Sequence, residues 1–160
     1  MTLNSKKLLD EVGWHILREL QMDARLSYAE LGRRVGLSLP AVAERVRRLE
    51  EAEIIAGYHA VLNPKKIGMT VMAFIRITTS GENYSSIIAL ARNLPEVVEC
   101  HHLTGADSFI LKVVTASISH LEQLIGHLST YGQTATSIVL SSPVTKQRIE
   151  PNRNNQNLEY

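Results

Sequence analysis

Between Ser27 and Leu49 the chain reads SYAELGRRVGLSLPAVAERVRRL, and no other stretch restricts the fold as much. Leu31 and Val35 lie one turn apart behind Ser27. Gly36 follows, where a helix C-terminus favours a residue that tolerates left-handed backbone. Leu37 plugs the gap between this helix and the next. Ser38 is then a good N-cap, and Pro40 fits the first helical turn because its missing N–H has no intrahelical acceptor there. The window predicts two short helices, the second starting at about Leu39, with Gly32 small where the pair must cross. Such a pair around a glycine turn is the layout of a helix-turn-helix, whose second helix lies in the DNA major groove.

At about 100° per residue, Val42, Val46 and Leu49 of the second helix form one stripe, the side packed on the rest of the domain. Pro40, Ala43, Glu44 and Arg47 point the other way. Arg45 and Arg48 fall at the border, where a side chain can reach sideways to phosphates. Arg47 is placed for a base edge and a bidentate contact to guanine. Glu44 can accept from cytosine or orient a neighbouring arginine, and Ala43 suits close approach or a thymine methyl. With Ser38 at the helix start, these seven residues are the candidate DNA contacts. A solvated basic face is the plain alternative, but glycine turn, cap, proline and arginine face agree within one short window.

The flanks complete a domain. Leu9, Val12, Ile16, Leu17 and Leu20 recur at helical spacing and predict a helix from about Leu8 to Met22, with Gly13 and Trp14 interrupting its polar side. Beyond the second helix, Ile54, Ile55, Gly57, Tyr58 and Ala60 to Leu62 are expected to form two short strands around a turn, the wing of a winged helix. Lys65 and Lys66 read either as phosphate contacts or as solvated linker charges.

With 160 residues and 44% hydrophobic content, the chain can bury one ordinary core or two small ones, and two fit its change of pattern better. No apolar run is long enough to span a bilayer, and the first residues lack the apolar core of a signal peptide, so a cytoplasmic protein is expected. Cys100, the single cysteine, rules out an internal disulfide framework. The net charge of +1 argues against a nonspecific polycation, and the residues up to Ala60 balance nine Lys/Arg against nine Asp/Glu. Because affinity for DNA grows with the phosphates neutralised, one such domain binds weakly, and a dimer or larger oligomer is expected.

Asn63, Pro64 and Ile67-Gly68 mark a joint, after which the pattern becomes mixed. Thr70 to Thr78 alternates Val71, Ala73, Ile75 and Ile77 on one face of a strand. Tyr84 to Leu94 has helical spacing and ends at Pro95. Val97 to Leu103 and Ser108 to Val114 form a hairpin about the turn Thr104 to Asp107. Ser119 and Glu122 look like a capping box opening a helix through Leu128, and Thr134 to Leu140 is a final strand. The order βαββαβ is a ferredoxin-like sandwich with helices on one sheet face. Placing Met72, Phe74, Cys100 and His102 on the other face gives an apolar patch that a second copy would cover. The expected fold class is therefore α+β, an N-terminal winged helix-turn-helix (residues 1–62), a linker (63–68), a ferredoxin-like domain (69–149) and a flexible tail (150–160).

His101 and His102 alternate across a strand, and His120 and His127 stand seven apart on a helix, so no metal site is expected. Neither a nucleophile motif nor a phosphate loop appears, no cofactor is indicated, and an enzyme is not expected.

From about Leu8 to Val144 the chain resembles the leucine-responsive regulatory protein and AsnC (Lrp/AsnC) family of transcription regulators. The resemblance rests on ILRELQMDARLSYAELGRRVGLS, AVAERVRRLEEAEII, IAGYHAVLNPKKIG and HLTGADSFILKV. It implies a winged helix-turn-helix joined to a ligand-sensing (RAM-type) domain, homodimers that assemble to tetramers or octamers, and control by amino acids or related metabolites. It also implies an effector site near the hairpin loop, carried here by Gly105, Ala106, Asp107 and Ser108. Taken alone, Asp107 is better explained by an Asx-type turn that closes the hairpin, and only the resemblance sets the binding of an effector's ammonium group level with it. Three positions depart from the family pattern. Gly13 stands where an acidic residue is usual, and Ser108 where many relatives carry one. Glu53 replaces a glycine and must then bear a left-handed turn or redirect the chain after the second helix. Some haem-biosynthesis decarboxylases share this two-domain plan, but no match to their substrate motifs is present.

Overall fold

The computed structural model describes residues 7–145 and 148–151, which fall into two compact units. The first holds residues up to Ala60 together with those from Val144 onward, and the second runs from Val61 to Pro143.

Among the described residues, the first unit is built on α1 (Glu11–Met22), α2 (Tyr28–Val35) and α3 (Leu39–Glu51). Ile16, Leu31, Val42 and Val46 are fully buried at its centre, with Leu17, Leu20, Val35 and Leu49 around them. The apolar stripe predicted for α3 is thus its buried side. Asp10 caps α1 by accepting from the Gly13 N–H at 2.7 Å. At Gly13 any Cβ would lie 1.9 Å from the Leu8 carbonyl oxygen, so the chain entering α1 folds tightly over this glycine. Gly36 takes the left-handed conformation at φ 71° that the turn requires. At Gly32 a Cβ would sit 2.6 Å from the Leu37 carbonyl oxygen, which is why the crossing needs a glycine.

The wing expected at 54–62 is absent as strands: Ile54 and Ile55 lie in a bend, and residues 56–62 have no regular secondary structure. The reason lies at the end of α3. Glu53 adopts φ 54°, its N–H bonds the Glu50 carbonyl at 2.9 Å, and the Ile54 N–H bonds the Leu49 carbonyl at 2.9 Å. These two bonds are a Schellman motif with glutamate in the left-handed position. It turns Ile54 and Ile55 inward against the helical core. Tyr58 then returns to α3 and donates to Glu50 at 2.9 Å, with burial and that carboxylate raising its phenol pKa.

At the other end of the chain, residues 148–151 lie on α1. The Ile149 N–H donates to Gln21 Oε1 at 2.8 Å, Gln21 Nε2 donates back to the Ile149 carbonyl at 3.2 Å, and Arg18 meets Glu150 at 2.8 Å. Residues 148–151, the end of the expected second domain and the start of the expected tail, are thus hydrogen-bonded to α1. Of the tail expected at 150–160, residues 152–160 lie outside the described residues.

The second unit has strands β1 (Val71–Thr78), β2 (Val97–His102), β3 (Phe109–Thr115) and β4 (Gln133–Ile138). Helix α4 (Tyr84–Asn93) precedes β2, and α5 (Ile118–Leu128) precedes β4. The expected βαββαβ order is present, in an antiparallel sheet ordered β2-β3-β1-β4. Ala73, Ile75, Ile77, Leu111 and Val113 face the helices and are fully buried with Ile87 and Leu128. The register corrects two assignments of face. Cys100 pairs with Leu111 and His102 with Phe109, so both lie on the helix side, where His102 stacks on Phe109 at 4.9 Å. The other face carries Met72, Phe74, Ile110 and Ala135, with Arg76, Glu99, His101 and Lys112 in register beside them. Helix α5 also starts earlier than its expected capping box. Ser117, not Ser119, accepts from the His120 N–H at 3.1 Å, and the buried Thr115 hydroxyl fixes the Ser117 carbonyl at 3.1 Å.

Candidate nucleic-acid interface and effector loop

Helix α3 offers its outward side from Ser38 to Glu51. Ser38 has the extended backbone of an N-cap but makes no side-chain cap bond, and Pro40 sits in the first turn. Both are exposed, which leaves the Ser38 hydroxyl and the first N–H groups of the helix facing outward. Ala43 adds little bulk one turn further on.

Each arginine of α3 is held by a carboxylate. Arg47 donates through Nε and Nη2 to both oxygens of Glu44, at 2.9 and 2.8 Å, and through Nη1 to Glu51. Arg48 donates to Glu44 at 2.7 Å. Two guanidinium groups on one carboxylate drive the Glu44 pKa down to about 2, and the same bonds raise that of Arg47. Arg45 instead turns to Asp10, which it grips with both terminal nitrogens at 2.7 and 2.9 Å. Asp10 therefore caps α1 and clamps α3 at once. The sequence signal for its first task was a carboxylate just before a helical run; nothing in the spacing announced the second, across 35 residues. On α2, Glu30 holds Arg33 at 2.7 and 2.9 Å and Arg34 at 2.8 Å, and Arg34 also reaches Glu19 at 2.8 Å.

Chemically, α3 presents a row of fork-shaped donors beside an exposed helix start. Such donors match phosphates and the guanine edge. Their carboxylate partners are exposed and can be exchanged for other anions.

In the second unit, the loop joining β2 and β3 carries the four residues singled out by sequence. Gly105 is exposed at φ 114°, a conformation that favours glycine, and Ala106 is exposed beside it. Asp107 is half-buried. Its carboxylate accepts from the Thr78 hydroxyl at 3.3 Å and lies 3.8 Å from the Arg76 guanidinium, both on β1. Ser108 is buried, accepting from the Thr79 N–H at 3.1 Å while donating to the Thr79 carbonyl at 3.0 Å. Its hydroxyl thus fastens the loop to the residue following β1, its N–H bonds the Ile77 carbonyl within β1 at 2.8 Å, and the three preceding residues form the accessible part. A separate groove of about 390 Å³ between α4 and β2 is lined by Ile88, Arg92, Val97, Cys100 and His102, and the loop takes no part in it. Burial there raises the Cys100 thiol pKa.

Residues 9–50 match the family model described as the AsnC-type helix-turn-helix domain, and residues 72–149 the Lrp/AsnC ligand binding domain. The chain is 36% identical over 138 residues to the HTH-type transcriptional regulator LrpC of Bacillus subtilis, covering 86% of this chain and 96% of that protein. It is 35% identical over 150 residues to the leucine-responsive regulatory protein of Salmonella typhimurium, covering 89% and 92%. Among solved structures it is similar to the feast or famine regulatory protein of M. tuberculosis complexed with L-methionine, with TM-score 0.83, 34% identity, and coverage of 89% of this chain and 99% of that one.

Proposed function

The chain belongs to the Lrp/AsnC family of DNA-binding transcription regulators, and from that membership we propose that it reads operators with α3 and senses an amino acid through its β2–β3 loop. The observation that carries the DNA reading is Arg47. It stands exposed on the face opposite the buried stripe, with its fork oriented by Glu44. In this reading Arg47 addresses guanine, Arg48 and Arg45 address phosphates, and Ser38 with the helix start receives a further phosphate. Pro40 and Ala43 keep the approach close, and Glu44 accepts from cytosine.

A homodimer, assembling further to a tetramer or octamer, supplies the second reading head. The sheet face bearing Met72, Phe74 and Ile110 is the surface that suits it, apolar at its middle and charged around it. At the loop, Asp107 would bind the effector's ammonium group, with the turn around Gly105 and Ala106 receiving the carboxylate. The L-methionine held by the M. tuberculosis relative supports an amino acid as the ligand class.

Selecting duplexes from a random pool with the full chain tests the first half. Arg47→Ala is expected to lose about 1–3 kcal/mol on the selected site and relax its sequence preference, whereas Arg48→Ala weakens all duplexes alike and lowers the salt slope by about 1. Equal losses on selected and scrambled DNA for both variants would refute the assigned face. A thermal-shift screen of the twenty amino acids, repeated on Asp107→Asn, tests the second half. A flat screen would refute the amino-acid reading and favour a DNA-wrapping protein without effector or a different ligand class.

A further inference from the structure

All five cations of α2 and α3 are arginines, and every one is engaged by a carboxylate of its own unit, at distances of 2.7–2.9 Å for Arg33, Arg34, Arg45 and Arg48. Exposed ion pairs of this kind contribute little to stability, so their consequence is to be sought where the arginines meet another anion. Glu30 on α2 and Glu44 on α3 each hold two arginines, and the position of Glu44 on the candidate reading helix sets it apart. It lies on the outward face of α3, and it holds Arg47 and Arg48 together.

Resting on the DNA reading above, we propose that Glu44 is the specificity-determining residue of this interface, an internal competitor that rejects DNA offering only phosphates. A phosphate that draws Arg47 or Arg48 away exchanges one anion for another, with small gain. It also leaves the Glu44 carboxylate facing a polyanion with its own partners removed, and a like charge placed there is repelled. An operator avoids this penalty only by presenting donors to Glu44. The exocyclic amino group of cytosine is such a donor, while the adjacent guanine edge takes the Arg47 fork. Glu44 thereby acts twice, holding the arginine fork in place before binding and penalising a wrong base step afterwards. The step it favours pairs a guanine acceptor edge with a neighbouring cytosine amino group in the major groove. The nine-to-nine charge balance of the first 60 residues acquires a role in this scheme, because general attraction to DNA is kept low while selective contacts are retained.

The experiment compares the full-length parent, Glu44→Gln, Glu44→Ala and Glu30→Gln by fluorescence anisotropy. The probes are the duplex selected by the parent and a scrambled duplex of equal composition, between 50 and 300 mM KCl. Glu30→Gln removes the same charge from α2 and controls for net charge, and circular dichroism confirms folding of each variant. Both Glu44 variants are expected to bind the scrambled duplex about tenfold tighter and to lose at least tenfold in the ratio of selected to scrambled affinity. Their salt slopes on scrambled DNA steepen by about 1–2 as Arg47 and Arg48 become available to phosphates. Glu30→Gln is expected to keep the parent's ratio. An unchanged ratio in the Glu44 variants, or an equal fall in Glu30→Gln, would overturn the proposal while leaving the DNA reading intact. A parent that selects no sequence would overturn both.

Discussion

Replacing Glu53 by glycine is expected to stabilise the DNA-binding unit, and the Schellman turn after α3 sets the size of the effect. Glu53 holds φ 54°, where a side chain costs about 1–2 kcal/mol through its Cβ. Glycine removes that cost but gives back about 0.5–1 kcal/mol through its greater freedom in the unfolded chain. The same substitution deletes a negative charge from a helix C-terminus, worth roughly 0.3–1 kcal/mol. Glu53→Gln deletes only the charge, so the difference between Gly and Gln isolates the net backbone term, about 0–1.5 kcal/mol and centred near 0.75 kcal/mol. Trp14, the one tryptophan of the chain, lies on α1 and makes urea unfolding of the intact protein report on this unit by fluorescence. With a slope of about 1–3 kcal/mol per molar urea, the two midpoints differ by a few tenths molar. Coincident midpoints for Gly and Gln would show that no left-handed strain is stored at Glu53.

The same fluorescence assay checks three further expectations. Gly32→Ala forces a Cβ to within 2.6 Å of the Leu37 carbonyl and is expected to cost about 1–3 kcal/mol as the two helices part; an unshifted midpoint would show that the crossing can relax. Glu30 and Glu44 are both held at about 2, below their usual 4.5, so their arginine pairs stabilise the fold above about pH 4.5 and lose that effect as the pH falls toward 2. Because the pairs are exposed, the double variant Glu30→Gln/Glu44→Gln should be only slightly less stable than the parent at pH 7 and level with it near pH 2, and a gap independent of pH would contradict the pairing. Gln21→Ala removes both bonds to Ile149 and is expected to lower stability by about 1 kcal/mol; no change would mean that residues 148–151 do not hold this unit.

Where local chemistry decides, the sequence was legible. Gly36, Ser27 and the Val42–Val46–Leu49 stripe each answer to a rule that acts within one or two turns, and the helices follow them. Alternation in Val71 to Ile77 likewise placed the buried face of β1 correctly. Three expectations differ from the structure, each for its own physical reason. A β-bulge between Val97 and Glu99 alters the register of β2, which put Cys100 and His102 on the helix side instead of the open one. Ser117 rather than Ser119 caps α5 because Thr115, outside the motif, anchors the preceding turn. The wing gave way to a helix cap that only a left-handed Glu53 allows, and its cost was visible at that residue while its outcome was not. At the candidate site, the outward arginines could be read from helical spacing, but Asp10 reaching Arg45 across 35 residues could not.

Residues 148–151, fastened to α1 through Gln21 and Arg18, have a consequence for the order in which the protein is made. A ribosome that has just released Ala60 has supplied α1, α2 and α3 of the DNA-binding unit but not the piece that closes it. Ile149 follows about 90 residues later, roughly 5–20 s at ordinary elongation rates, and by then every strand of the ligand-binding domain has been synthesised. A chain released early, at any point in that interval, would carry a reading helix on an unclosed unit. The contacts of residues 148–151 with α1 are therefore among the last that the first unit can form, after every described strand of the second unit has been synthesised.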